Sequence, residues 1–428
     1  MGKNIILCSD GTGNTGGHGA DTNVFRLFNA IDIHDGSPQQ ITFYDDGVGT
    51  SKNKYWRAFT GAFGFGLETN VLDLYEFLSR FYEPGDKIFL FGFSRGAATV
   101  RAFAGMVQEC GLRDIKNDAC KRNGVFDEAA FQDQLIVARD AYREIKTDRL
   151  AADAFKAAMG VTDPDGAPGG NIPIEIIGVW DTVSALGFPQ DWSGAVDWIF
   201  RALDKLSDRW FPHNYYNYQL NKNVGHVYHA LAIDDERKTF HPKVWNEIRD
   251  DRPRKVEQVW FAGVHSNVGG GYPRSGLSMV ALEWMMERAH QHGIRFSSPS
   301  ALADVRAAAN VQGRLYDSRS GAAIYYRYGP RDITELCRNV VPPIKIHQSA
   351  VERINRGTVR YAPRSLPYDV EIVGTKAGSP TRRIKTAESE EQWATNHQVI
   401  WRQVMKRGVL YRVFVESTLA LVVLAGYA

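Results

Sequence analysis

Apolar residues in the first half of the chain come in two alternating forms. Short unbroken runs, Ile5 to Cys8, Ile41 to Tyr44 and Ile88 to Phe91, each end in a turn-rich stretch. Between them, apolar residues recur every three or four positions: Val24, Leu27, Phe28 and Ile31, then Val71, Leu74, Leu78 and Phe81. The runs predict buried strands. The periodic segments predict amphipathic helices, the second over about Leu67 to Tyr82, stopped by Glu83-Pro84-Gly85-Asp86. Asp21 or Thr22 stands where the first helix needs a cap. Apolar strands separated by helices predict parallel pairing through right-handed crossovers, and so an α/β fold. Ile172 to Trp180 and Val259 to Val264 continue the strands, and Leu277 to His290 adds a helix.

Two stretches interrupt this alternation. Residues from about 112 to 160 are charged and helical, without strand signals, and read as a helical insertion. A second insertion spans about 185–225. In it Val196, Ile199, Phe200, Leu203 and Trp210 fall at helical spacing opposite Asp197, Asp204, Lys205 and Asp208. That stripe fits a lid meeting a lipid surface, although an ordinary helix packed on the core is the commoner use of such a pattern. From 366 to 428 the chain is basic and then apolar. Ser417 to Ala428 carries no charge, and Arg402, Lys406, Arg407 and Arg412 precede it. Glu416 leaves the run short of the roughly 20 residues a spanning helix needs. A membrane-associating tail and a helix docked on the body both fit.

Charge removes one class of partner. Lys and Arg number 51 against 49 Asp and Glu, a net charge of +2, so no basic surplus points to nucleic acid. Aromatic residues at 12% suit a greasy ligand or a membrane surface. Cys8, Cys110, Cys120 and Cys337 are scattered without C-x-x-C spacing, which argues against a zinc knuckle or a disulfide scaffold. Asp10 breaks the first apolar run, so no signal peptide is expected and synthesis is cytoplasmic.

Gly92-Phe93-Ser94-Arg95-Gly96 fits G-x-S-x-G, the nucleophile elbow. The pattern alone is weak, but here it follows a predicted strand and precedes the small, helix-forming Ala97 to Met106. A sharp strand-to-helix turn there exposes the Ser94 hydroxyl. Serine needs a base and the base an orienting carboxylate, in the chain order Ser, Asp/Glu, His for an α/β-hydrolase arrangement. Asp181, ending one strand, and His265, ending another, meet that order. His226, His229, His241 and His347 compete less well. An oxyanion hole needs two backbone N–H donors. The Arg95 amide is one candidate, and Gly11 or Thr12 in Asp10-Gly11-Thr12-Gly13-Asn14 supplies the other, against the alternative of an Asx turn on Asp10. The glycines from Gly61 to Gly66 follow no strand and lack dinucleotide-binding spacing. Asp45 with Asp46, and Asp234 with Asp235, read as turns or salt-bridged loops rather than cation sites. No cofactor and no metal are expected.

The motifs ILCSDGTGN, TNVFRL, YDDGVGT, PGDKIFLFGFSRGAATVR, VWDTV, DDERKTFHP, WFAGVHSNVGGGY and IHQSAVERI stand in one order over about residues 4 to 365. Together they resemble the α/β-hydrolase catalytic domain of type VI secretion lipase effectors. The resemblance implies a mostly parallel sheet flanked by helices and a Ser-Asp-His triad at Ser94, Asp181 and His265. It also implies cleavage of phospholipid or other acyl esters. Asn267 departs from the family pattern, which usually has Asp there. The expected organisation is a catalytic domain over 1–365 with helical insertions, and a C-terminal region over 366–428. The expected function is a phospholipase or lipase, associated with membrane through its tail or exported without a signal peptide. A soluble carboxylesterase or thioesterase, and a membrane-tethered binding protein with a decayed site, are the alternatives.

Overall fold

The apolar runs form the centre of a single sheet. The structure, a computed structural model, describes residues 2–11, 19–34, 36–46, 66–144, 149–161, 172–183, 220–248, 255–298, 300–376, 378–387 and 389–427. The stripe at 192–211 and residues 61–65 of the glycine-rich stretch lie outside the described residues.

The first half holds β1 (Asn4–Ser9), α1 (Asn23–Ala30), β2 (Gln40–Asp45), α2 (Leu67–Phe81), β3 (Lys87–Phe93) and α3 (Arg95–Cys110). A short hairpin, β4 (Lys121–Arg122) and β5 (Val125–Phe126), then leads into α4 (Glu128–Glu144) and α5 (Arg149–Met159). The sheet resumes with β6 (Ile174–Trp180), β7 (Val224–Ala232) and β8 (Lys255–Phe261), followed by α6 (His265–Gly269), α7 (Gly276–Gln291), α8 (Ala301–Ala308) and α9 (Ile333–Leu336). β9 (Ile344–His347), α10 (Gln348–Asn355), β10 (Asp369–Val373), β11 (Arg382–Lys385) and α11 (Glu390–Tyr427) complete the order.

Nine strands pair in the order β11-β10-β9-β8-β7-β6-β3-β1-β2. All neighbours are parallel except β10 with β11. The central strands read as continuous apolar runs because both faces are covered. Ile5, Leu7, Ile88 and Leu90 point into a core with α2 and α3, to which α4 and α5 add Phe131 and Phe155. Ile6, Cys8, Phe89 and Phe91 point the other way, against Val24 and Leu27 of α1 and Leu282, Trp284 and Met285 of α7. A third core gathers Leu231, Trp260, Ile333, Ile346 and Val370 under the late strands. Each such buried Leu, Ile or Phe side chain contributes about 1.5–3 kcal/mol of transfer free energy. This is the α/β-hydrolase type of fold, a mostly parallel sheet flanked by helices.

The structure adds to the expected elements in two places. β7 has no unbroken apolar run, because VGHVYHALA carries two histidines, and one of them, His229, is fully buried. Beyond residue 365, β10 and β11 extend the sheet. Their edge is marked by Arg382, Arg383 and Lys385, charges of the kind that guard an edge strand and hide it from an apolar pattern.

Candidate active site

Ser94 joins β3 to α3 in a conformation that side chains rarely adopt, with φ 59° and ψ −119°. The flanking glycines make the turn possible. A Cβ on Gly96 would stand 2.1 Å from the Ser9 carbonyl oxygen, and one on Gly92 would stand 2.6 Å from the Gly96 oxygen. The Ser94 amide donates to the Trp180 carbonyl (3.1 Å) and its own carbonyl accepts from Val183 (3.4 Å), which pins the turn to the end of β6. Arg95 opens α3, where first-turn amides have no intrahelical acceptor.

Asp181 follows the last residue of β6, also at positive φ, and its amide donates to Ala230 of β7 at 2.8 Å. Its carboxylate is saturated. Oδ1 accepts from the Ala232 amide (2.9 Å) and from Arg331 (2.7 Å). Oδ2 accepts from His265 Nδ1 (2.5 Å) and from Arg331 (2.8 Å). Four donors thus meet about four lone-pair sites. Burial pushes this carboxyl up, but the Arg331 charge and the His265 and Arg331 hydrogen bonds outweigh it and hold it well below the usual carboxylate range.

His265 opens α6, four residues past the end of β8, and lies buried between Phe93 (ring centroids 4.6 Å apart) and Phe240 (5.1 Å). Its Nδ1–H donates to Asp181, which leaves Nε2 as the basic nitrogen. Burial lowers its pKa below the ordinary histidine value, and the Asp181 hydrogen bond and charge offset this only in part. The DDERKTFHP segment holds the loop beneath it. Asp234 Oδ2 accepts from the Gly263 amide (2.7 Å) and Asp235 Oδ2 from the His265 amide (3.1 Å). Asp235 is in turn paired with Arg237 at 2.7 Å. Asn267 stitches the same loop: its Oδ1 accepts from Tyr316 N (3.2 Å) and its Nδ2 donates to the Arg314 carbonyl (3.1 Å). A carboxylate there has no N–H to give that carbonyl.

The site thus brings Asp181 and His265 into direct contact, and Ser94, at the end of the strand beside β6, is bonded through its backbone to Trp180 and Val183 on either side of Asp181. Over residues 3–288 the chain matches the family described as the Tle1-like phospholipase effector of type VI secretion, catalytic domain. The chain belongs to that family. Among relatives, this Tle1-like chain is 28% identical over 254 residues to an uncharacterized yeast protein, YEL023C, of Saccharomyces cerevisiae. That match takes in 56% of this chain and 32% of the yeast protein. A crystal structure of an uncharacterized Pseudomonas aeruginosa protein matches 96% of the chain and 60% of its own, at 18% identity and a TM-score of 0.43. The Tle1 effector bound to the VgrG spike of the type 6 secretion system matches 75% of this chain and 78% of its own, at 15% identity and a TM-score of 0.41. The Tle1-like chain therefore spans about a third of the yeast relative and three fifths of the Pseudomonas protein.

Other residues singled out in the sequence take different places. The Gly11 amide is engaged by Asp10 Oδ1 at 2.6 Å, so in this conformation it is not an oxyanion donor; Thr12 lies outside the described residues. The other Asp10 oxygen accepts from Thr22 and from Tyr44 OH, the latter at 2.7 Å. This is the Asx-type use of Asp10. Asp45 accepts from Ser9 Oγ (2.7 Å) and Asn70 Nδ2 (2.6 Å) rather than standing free for a cation. His241 and His347 are engaged by Gly329 O and by Ser349 and Thr375 rather than by Asp181.

Arg331, which the sequence did not single out, and His229, which the sequence offers only as a weaker candidate base, complete the site of the Tle1-like chain. Arg331, fully buried, grips Asp181 and also donates to the carbonyls of Ala232 and Phe240, each at 2.5 Å. His229 accepts from the Thr182 amide (3.2 Å), beside Asp181, and contacts Gln258 Oε1 through Nδ1 (3.4 Å). Burial pushes its pKa down to about 3, so it stays neutral. Arg331 lies 150 residues from Asp181, and only the fold pairs them.

Proposed function

We propose that the chain is a serine ester hydrolase of the phospholipase or lipase type. In this reading Ser94 Oγ attacks the acyl carbonyl while His265 Nε2 takes its proton. The tetrahedral intermediate collapses, the ester C–O bond breaks, and His265 returns the proton to the leaving alcohol. Water, deprotonated by the same nitrogen, then releases the acyl group from Ser94. Asp181 holds the imidazole tautomer and stabilises its charged form. The Arg95 amide, at the positive end of α3, faces the developing oxyanion. No cofactor enters this scheme.

The observation that carries the proposal is the buried 2.5 Å contact between Asp181 Oδ2 and His265 Nδ1, which leaves Nε2 as the free base. The family's description as a phospholipase effector supports a lipid ester as substrate. Exposed apolar residues of α11, among them Val409, Leu410, Val413 and Phe414, support docking on a membrane surface. Among the described residues no helix is long and apolar enough to cross a membrane.

A panel of phospholipids and short soluble esters, assayed with wild type and Ser94→Ala, tests the proposal. Phospholipid cleavage that vanishes in Ser94→Ala, with fluorophosphonate labelling of Ser94, is the expected result. Turnover of short esters alone would move the assignment to a soluble carboxylesterase or thioesterase. Equal activity in both proteins would refute the nucleophile.

A further inference from the structure

The opposite end of the sheet carries a second cluster. Glu175 is the second residue of β6, His226 the third of β7, and His292 caps the carboxyl end of α7. The helix that follows the triad loop returns toward the strand starts, so three residues far apart in sequence converge there. A register shift places Glu175. Ile88 of β3 pairs with Ile174 and Phe89 with Ile176, so Glu175 is an extra residue, a bulge. In a regular strand Ile174 and Ile176, two positions apart, would share a face. Instead Ile174 joins the core with α2 and α3, and Ile176 the core with α7.

We propose that Glu175, His226 and His292 bind one divalent transition-metal ion of the zinc class. Glu175 Oε1 stands 2.8 Å from His292 Nδ1 and 3.9 Å from His226 Nδ1, and the three ligand atoms all lie within 4.8 Å of one another. Tetrahedral zinc, with bonds of about 2.0–2.2 Å, sets its ligand atoms about 3.4 Å apart, so small side-chain rotations close the site. The two imidazole rings lie side by side, centroids 4.0 Å apart and planes tilted by 54°. Tyr228 OH lies 3.0 Å from His292 Nε2. That contact suits a ligating histidine: Nε2–H donates outward and the Nδ1 lone pair points to the metal. Lys87 Nζ, 3.8 Å from Glu175 Oε2, balances the remaining carboxylate oxygen.

The donor set selects the ion. Two imidazoles and one carboxylate suit zinc or its neighbours, whereas calcium and magnesium seek oxygen ligands. The ligands are 14% to 32% exposed, which gives an ion access and leaves a fourth position for water. Glu175 and Asp181 stand six positions apart along β6, about 20 Å. The ion therefore touches no reacting group and acts as a clamp on β6, β7 and α7. No spacing in the sequence signals this trio, since each ligand sits alone on its element.

Zinc chloride titrated into the metal-free chain against a chromophoric chelator tests this, with the thermal midpoint as a second readout. Neither depends on the hydrolase proposal. The expected result is one tight zinc per chain and a midpoint raised by several degrees. His226→Ala with His292→Ala should weaken binding at least tenfold and abolish the shift, and Tyr228→Phe should weaken it about 10-fold or more. If the double variant does not fold, Glu175→Gln carries the same comparison. Cobalt(II) should give the intense visible bands of a tetrahedral site in wild type. Wild type that binds zinc no better than the ligand variants, or cobalt without those bands, overturns the proposal.

Discussion

Arg331 and Asp181 meet end-on in the interior, Nη1 and Nη2 of the guanidinium 2.7 and 2.8 Å from the two carboxylate oxygens, with neither side chain exposed. In a triad the acid's negative charge stabilises the imidazolium that forms during the reaction. Here a guanidinium already compensates part of that charge. Arg331 thus fixes the carboxylate in place and at the same time moderates its pull on His265.

Replacing Arg331 separates these two effects. Arg331→Met leaves a buried carboxylate without its cation, a change that costs about 3–5 kcal/mol in comparable pairs. Urea denaturation should register that loss. In protein that still folds, Asp181 acts on His265 with its full charge and raises the histidine pKa. The acid limb of kcat/KM should therefore move to higher pH. Unchanged stability together with an unchanged profile would remove Arg331 from this role.

The pH profile of the wild type follows from the same balance. In the proposed reaction His265 must be neutral to accept the serine proton. Burial lowers its pKa, so the neutral form persists below the ordinary histidine value of about 6.5. Ester hydrolysis should hold steady through that pH and fall only under more acid conditions. An acid limb centred above 6.5 in kcat/KM would contradict the geometry.

The backbone at Ser94 gives a prediction about stability. A non-glycine residue at φ 59° and ψ −119° carries about 1–3 kcal/mol of strain. Ser94→Ala keeps the strain and removes the hydroxyl. Ser94→Gly removes both, and the flexibility of glycine in the unfolded chain takes back about 0.5–1 kcal/mol. Both variants should be inactive, and the glycine variant should have the higher denaturation midpoint. The reverse order would mean that the turn is not strained in solution.

These features differ in how far the sequence exposes them. Ser94, Asp181 and His265 each follow an apolar run, and a parallel sheet puts functional residues at such ends. Sequence order and strand pattern therefore reach them. Arg331 follows no strand and looks like a surface charge. Its burial depends on a partner 150 residues away, which no local pattern encodes. Asp234 and Asp235 were visible as a pair, but their use, holding the amides of Gly263 and His265, depends on how β7 and β8 stand side by side. β7 itself was hidden because a buried histidine reads as polar until its partners, Thr182 and Gln258, are known. The Gly11 amide was a reasonable oxyanion donor by position, and the carboxylate one residue earlier took it.

Asp234 should make stability depend on pH. Burial raises its pKa to about 6, against the hydrogen bonds from Gly263 N–H and Tyr361 OH that favour the charged form. A carboxyl whose folded pKa lies above its unfolded value contributes stability at low pH, and loses that contribution as pH rises through the folded value. Asp234→Asn keeps an oxygen to accept both bonds and has no proton to lose. Relative to this variant, wild type should lose stability between about pH 4 and pH 6, by at most about 3 kcal/mol, and hold constant above pH 7. Parallel curves for the two proteins over that range would place the Asp234 carboxyl in water.

The last prediction concerns α11 and a lipid surface. Ile400, Trp401 and Val404 face the body of the protein, around a cavity that Asp235 and Arg331 also line. Farther along, Val409, Leu410, Val413 and Phe414 are 50% to 70% exposed. Arg402, Lys406, Arg407 and Arg412 lie on the same stretch of helix. Apolar area is worth roughly 25 cal/mol per Å², so inserting four such side chains supplies several kcal/mol. The basic residues add attraction to anionic lipid that salt weakens. Co-sedimentation should therefore find the chain on anionic liposomes, less so at high salt, and equally with Ser94→Ala, because docking needs no chemistry. Deleting residues 409–428 keeps the contacts of Ile400, Trp401 and Val404, though it removes Tyr411 from its place 4.9 Å from the Arg319 guanidinium. The deletion should cut liposome binding and spare most hydrolysis of a soluble ester. A shortened chain that pellets as well as the full one would assign the lipid contact to another surface, and the exposed stripe of α11 would lose its role in docking.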